Sequence, residues 1–213
     1  MRTKPYLSDL HEWLRWRVNE VAVVHGIANP CTSMCLIWGH RTLGEQNAAY
    51  RAGRSKLDGI NKFSLHNYLP ALAADLWVYS GDEDGECEAL YEGRPPKGAG
   101  LSLELLQKGS LRRWYIPMGR LAKTVDLEAG ALWLTFRDGP HVQVPKAQRM
   151  MLLQDVLNSK GFDVGASDGI IGPRTRSAIQ AAKKESGLVD PFKSRLMPVS
   201  PKLWAWLHGQ ELR

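Results

Sequence analysis

The stretch Ser64-Leu65-His66-Asn67-Tyr68-Leu69-Pro70-Ala71-Leu72-Ala73-Ala74-Asp75-Leu76-Trp77-Val78-Tyr79 decides the reading of this chain. Residues Ala71 to Tyr79 are apolar almost throughout, which predicts a buried strand. Asp75 sits inside that run, and a carboxylate among apolar side chains is costly unless it is paired or binds a metal. His66 lies upstream of it, and Asp138-Gly139-Pro140-His141 supplies a second imidazole directly after a tight turn. Two imidazoles and a carboxylate make a three-ligand set for a zinc ion, with the fourth position kept for water. Asp138, just before the turn, is placed to lie near the same ion as a general base without ligating it.

Working outward, Ser8 reads as an N-cap. Leu10, Trp13, Leu14, Val18, Val21 and Ala22 follow at helical spacing, so residues 8 to about 25 predict an amphipathic helix ended by Gly26. Leu36 to Thr42 reads as a short strand entering a loop, Gly44 to Arg51 as a helix, and Gly53 to Phe63 as a loop. Ser80 to Gly100 is rich in Gly, Asp, Glu and Pro and reads as loop. Leu101 to Lys108 and Pro117 to Leu127 read as helices. Ala131 to Phe136 and Val142 to Val144 read as two strand arms around the Asp138-Gly139-Pro140 turn. The irregular alternation predicts an α+β domain with a small antiparallel sheet flanked by helices, over residues 1–145.

Pro145-Lys146 reads as a boundary. Ala147 to Ser159 carries Met151, Leu152, Leu153, Val156 and Leu157 at helical spacing. Gly172-Pro173 opens a second helix, with proline where its missing N–H costs nothing, and Ser200-Pro201 opens a third. Residues 147–213 thus predict a small three-helix all-α domain with a modest core.

The chain has 213 residues, 44% hydrophobic and 23% charged, and a net charge of +6. That composition is ordinary for a folded chain and argues against wholesale disorder. The positive balance favours an anionic partner, whether nucleic acid, anionic lipid or bacterial wall polymer. No Lys/Arg run is dense enough for a nucleic-acid arm, so nucleic acid is the weakest of these. The three cysteines, an odd count, do not read as a disulfide framework. Cys31 and Cys35 would lie one turn apart on a helix; as small buried residues they need no metal or redox role. His11, His25, His40 and His208 read as structural or exposed. Charges interrupt the N-terminus too early for a signal peptide, and no stretch has the length of a membrane span, so synthesis in the cytoplasm without a signal peptide is expected.

Gly39-His40-Arg41-Thr42-Leu43-Gly44-Glu45-Gln46, Gly53-Arg54-Ser55-Lys56, Ser64-Leu65-His66 through Asp75-Leu76, and Trp133-x-x-Phe136-x-Asp138-Gly139-Pro140-His141-Val142-Gln143 occur in one order over residues 36 to 144. Together they resemble a zinc peptidase family of D-alanyl-D-alanine carboxypeptidases and L-alanyl-D-glutamate endopeptidases that includes many phage endolysins. The resemblance implies that His66, Asp75 and His141 hold Zn2+, that Asp138 is the general base, and that Arg41 contacts substrate. It places Gln46 and Ser64 near the peptide. The gap from His66 to Asp75 is longer than in the commonest family pattern. Leu152-Leu153-Gln154 to Gly161-Phe162, followed by Asp168-Gly169-Ile170-Ile171-Gly172-Pro173-Arg174-Thr175, resembles the three-helix peptidoglycan-binding domain of wall hydrolases. It departs downstream, where Ala182-Lys183 replaces an aromatic–Gln pair.

The resemblance implies a peptidoglycan hydrolase of endolysin type, active as a monomer on the cell wall or periplasm after release by a holin-type partner. Two alternatives stay open: a bacterial D-Ala-D-Ala carboxypeptidase in wall remodelling, and a non-catalytic wall-binding protein.

Overall fold

The computed structural model describes residues 6–29, 32–80, 90–92, 114–135, 137–188 and 196–211. Its elements, in chain order, are α1 (Glu12–Ala28), β1 (Thr32–Trp38), α2 (Leu43–Arg51), β2 (Ala73–Ser80), β3 (Leu90–Glu92), α3 (Ile116–Thr124), β4 (Glu128–Ala129), β5 (His141–Gln143), α4 (Lys146–Ser159), α5 (Pro173–Ser186) and α6 (Pro201–Leu207), with short 3-10 turns at Leu7–Asp9, Leu65–Asn67 and Gly130–Leu132. The architecture is α+β, with a helical C-terminal part. By packing, the chain forms two compact units: Met1–Gly39 with Ala73–Val144, and His40–Leu72 with Pro145–Arg213.

The first unit is built on a five-stranded sheet of order β3-β1-β2-β5-β4. Its interior strand β1 is buried from Thr32 to Ile37, as expected of a strand covered on both faces. On β2, Ala74, Leu76 and Val78 are buried while Asp75 and Trp77 are partly exposed, the alternation of a pleated strand. β1 and β2 pair antiparallel, with an irregularity between Leu36 and Trp38 that sets Trp38 opposite Asp75. β2 and β5 also pair antiparallel, and here Asp75 stands directly across from His141. β4 joins β5 with Glu128 opposite Gln143. β1, β2, β5 and β4 are thus antiparallel neighbours, as expected. β3 adds to the other edge of β1 in parallel, so part of the segment expected as loop is strand. The expected strand arm Ala131–Phe136 is also different. The partner of β5 is Glu128–Ala129, and Gly130–Leu132 turns as a 3-10 helix.

α1 buries Leu14, Val18, Val21, Ala22 and His25, one face at helical spacing. It begins later than expected, at Glu12, with His11 Nδ1 accepting from Trp13 N at 3.2 Å. Gly26 does not end it. A glycine inside a helix costs about 1 kcal/mol relative to alanine, and the packed face carries the helix on to Ala28. His25 hydrogen-bonds Thr32 Oγ1 at 3.1 Å, and burial holds its pKa below the ordinary imidazole value. Cys35 is buried on β1, so Cys31 and Cys35 do not share a helix; Cys31, Cys87 and the helix expected over 101–108 lie outside the described residues.

In the second unit, α2 opens with a reciprocal capping box: Glu45 N donates to Thr42 Oγ1 at 3.2 Å and Thr42 N to Glu45 Oε2 at 3.0 Å. α4 buries Leu152, Leu153, Val156 and Leu157. Gln154, also buried, organises the Asp168–Ile170 turn: its Nε2 donates to Asp168 Oδ1 and Ile170 O, and its Oε1 accepts from Gly169 N. α5 starts on Pro173, as the sequence predicts, and stops at Gly187 in the left-handed region. α6 is capped by Ser200, and its Trp204 is fully buried. Trp204 Nε1 donates to Pro70 O at 3.0 Å, and Tyr68 Oη donates to Val199 O at 3.1 Å. These bonds tie the Tyr68–Pro70 loop to the C-terminal helix.

Candidate metal centre

The sheet register does the first half of the assembly. Because Asp75 and His141 are cross-strand partners, their side chains meet, and His141 Nδ1 lies 3.1 Å from Asp75 Oδ1. His66 comes from the 3-10 turn Leu65–Asn67. That turn is closed by Ser64 Oγ, which accepts from His66 N, and by Asn67 Oδ1, which accepts from Ser64 N at 2.8 Å. His66, Asp75 and His141 each offer one ligand atom, and these atoms all lie within 4.8 Å of one another. His66 and His141 are buried and Asp75 nearly so. Two imidazole nitrogens and a carboxylate oxygen are a donor set suited to a divalent transition-metal ion.

The electrostatics point the same way. Burial alone would lower the pKa of His141. The hydrogen bond and charge of Asp75, the hydrogen bond to Gln143 and the charge of Asp138 overcome it, and the net shift is upward. The pocket around this ring therefore favours positive charge, from a proton or from a cation. The Trp133 ring lies tilted against it, with centroids 5.3 Å apart.

Asp138 is held by its backbone. Its N–H donates to Gly130 O at 3.1 Å, its carbonyl accepts from His141 N at 3.3 Å, and Pro140 O accepts from Leu76 N at 2.9 Å. Gly130 must be glycine: a Cβ there would stand 2.4 Å from Asp138 O and 3.1 Å from His141 Cβ. Gly139 is under the same constraint from the Tyr115 ring, 2.9 Å from where a Cβ would be. Burial, with the charges of Asp75 and Asp138 adding to it and a backbone hydrogen bond with Val78 opposing, pushes Tyr115 up to about 12. Tyr115 therefore packs under the turn as a neutral ring. Gly130→Ala is expected to displace the Asp138 turn and to cost about 1–3 kcal/mol as an overpacking substitution. Urea unfolding checks it, and a wild-type profile would refute the close-approach argument.

Arg41 is anchored through its N–H to His66 O at 2.8 Å and its carbonyl to Asn67 Nδ2 at 2.9 Å. Its Nη1 donates to Gln46 Oε1 at 3.2 Å. Gln46, placed near the peptide by sequence resemblance, is fully buried, and its Nε2 donates to Ser55 Oγ and Leu57 O, both at 2.7 Å. Ser64 is buried in its capping role. Among the other histidines, His40 is held low by burial, and the His208 ring lies tilted against Trp204 with centroids 4.4 Å apart. Glu128, Gly130 and Tyr115 surround the site without having been singled out in the sequence, and Gln143 stood there only as the last residue of the closing motif. The glycine immediately after β4 and the polar residue two past His141 were the available signals.

An α+β sheet that presents a His–Asp–His group, followed by a helical module, is the class of arrangement that the motifs suggested. Residues 146–190 match the family model described as a putative peptidoglycan binding domain. Over 149 residues, 68% of this chain and 78% of the relative, the sequence is 28% identical to the peptidoglycan L-alanyl-D-glutamate endopeptidase CwlK of Bacillus subtilis (strain 168). Among solved structures, the L-Ala D-Glu endopeptidase ChiX of Serratia marcescens is similar at 21% identity and a TM-score of 0.40, over 65% of this chain and 83% of that one. The curated relative and the matched binding module support the family read from the motifs. Among the described residues, no helix is long and apolar enough to cross a membrane.

Proposed function

We propose that this chain is a zinc-dependent peptidoglycan hydrolase that cleaves an amide bond of the wall stem peptide, of the L-alanyl-D-glutamate endopeptidase type. The convergence of His66, Asp75 and His141 within 4.8 Å carries the reading. The match of residues 146–190 to a peptidoglycan-binding model and the likeness to a peptidoglycan endopeptidase supply the substrate class. Two ligand atoms on one tetrahedral zinc lie about 3.3 Å apart at usual bond lengths. The 3.1 Å between Asp75 and His141 is close to that separation.

When bound, zinc would supply Lewis acidity to the scissile carbonyl and to a water molecule. Asp138 accepts the proton from water and delivers it to the leaving amine nitrogen. Arg41 anchors a substrate carboxylate through its forked N–H donors. Gln46 orients Arg41 from behind, and Ser64 keeps His66 in its turn. In this reading residues 1–145 form the peptidase and 147–213 the wall-binding module, which raises the local enzyme concentration on a polymer without touching the chemistry. The +6 charge suits an anionic wall. An endolysin setting belongs to the same proposal, with a monomer reaching the wall through a holin-type partner.

The test is mass spectrometry of sacculi digested with the zinc-loaded full chain. New amino termini on D-glutamate support the endopeptidase. Release of D-alanine alone would replace it with the carboxypeptidase. Zinc-free protein that co-sediments with sacculi and yields no product under any metal would leave a wall-binding protein only.

A further inference from the structure

His141 Nε2 lies 3.0 Å from Gln143 Oε1, and Gln143 Nε2 donates to Glu128 Oε2 at 2.6 Å. The sheet sets both contacts. His141 and Gln143, two apart on β5, face the same side, and Glu128 is the cross-strand partner of Gln143. A carboxylate only accepts, so the Gln143 amide must turn its NH2 toward Glu128 and its oxygen toward His141. That oxygen also only accepts, so the proton of the His141 ring must sit on Nε2. Nδ1 is left facing Asp75 Oδ1 at 3.1 Å. Two lone pairs do not face each other at that distance unless a proton or a cation stands between them.

We propose that Glu128 and Gln143 form a tautomer lock that holds the His141 proton on Nε2 and commits Nδ1 to the cation shared with Asp75 and His66. The inference rests on the zinc reading above and adds two positioning residues to it, neither touching the ion. The lock acts in two ways. It fixes the ring plane, and it removes the competing tautomer in which Nδ1 is protonated and cannot ligate. Its chain of donors runs outward from ring to amide to carboxylate, so the negative charge of Glu128 reaches the ring through one polarised amide.

The experiment uses the full chain, zinc alone as probe, and a competing chelator to read affinity. Imidazole 15N spectra of the zinc-loaded protein read which nitrogen carries the proton. The wild type is expected to bind one zinc with His141 Nε2 protonated. Gln143→Leu is expected to weaken zinc binding about 10- to 100-fold, the usual range for losing an outer partner of a metal-bound histidine. Glu128→Leu should weaken it in the same direction. Glu128→Gln, which still offers an oxygen to the Gln143 NH2, should stay closer to wild type than Glu128→Leu. Unchanged affinity and an unchanged Nε2 proton in Gln143→Leu overturn the lock. If Gln143→Leu does not fold, equal affinities for Glu128→Leu and Glu128→Gln overturn it instead. Wild-type protein that takes up no zinc fails one step earlier and removes the metal reading itself.

Discussion

Asp138→Ala is expected to lower stem-peptide cleavage about 100- to 10,000-fold, the span that a positioned general base supplies, while the chain still binds zinc. The separation of the two effects follows from geometry. The atoms proposed to hold the ion belong to His66, Asp75 and His141. Asp138 contributes backbone to the turn, accepting from His141 N and donating to Gly130 O, and alanine preserves both bonds. The substitution therefore leaves the three proposed ligands and these two backbone bonds in place. His66→Ala is the contrasting variant: it deletes a ligand, so zinc content and activity should fall together. Metal analysis on purified protein beside a sacculus-solubilisation assay reads both. An Asp138→Ala protein with near-wild-type cleavage would take Asp138 out of the mechanism, and one that loses zinc would mean that the carboxylate is itself a ligand.

The heart of the site was legible because its residues violate local expectation. Asp75 interrupts an apolar run, and an acid largely withdrawn from water demands a partner. His141 follows a Gly-Pro turn that fixes where its strand begins. What sequence did not disclose is register. Glu128 meets Gln143, and through it His141, only because β4 and β5 pair as they do. The expected arm from Ala131 failed for a related reason. Gly130 lets the Asp138 backbone approach within a distance no Cβ allows, so the chain turns there and the ladder stops at Ala129. β3 was hidden in a Gly- and acid-rich segment, and three residues in parallel pairing leave little periodic trace. Gln46 reads as a motif residue; only its burial and three hydrogen-bond partners mark it as a support for Arg41.

The Tyr68–Trp204 contact was the least legible feature of all, since the hydrogen bond from Trp204 to Pro70 spans 134 positions. It also carries the largest expected stability effect. Trp204 is fully buried, its ring stands edge-on to Tyr68 at 6.2 Å, and its N–H satisfies Pro70 O. Trp204→Ala is expected to cost about 3–5 kcal/mol from lost burial and the cavity left behind. Trp204→Phe keeps most of the ring but strands a carbonyl, at about 1–3 kcal/mol if no water replaces the donor. Tyr68 lies two residues from His66, and the same loop closes through Leu72 N to Leu65 O at 3.2 Å. Loosening α6 should therefore reach a metal ligand: zinc affinity is expected to fall in Trp204→Ala and less so in Trp204→Phe. The matched binding-module residues end at 190, and α6 lies beyond them. This last helix thus packs against the loop that carries His66 as well as against the C-terminal core, and under the proposed function its removal is expected to lower cleavage along with wall binding. Urea midpoints and chelator competition on the two variants measure the effect. A Trp204→Ala chain that unfolds at lower urea yet binds zinc as tightly as wild type would confine α6 to a purely structural role.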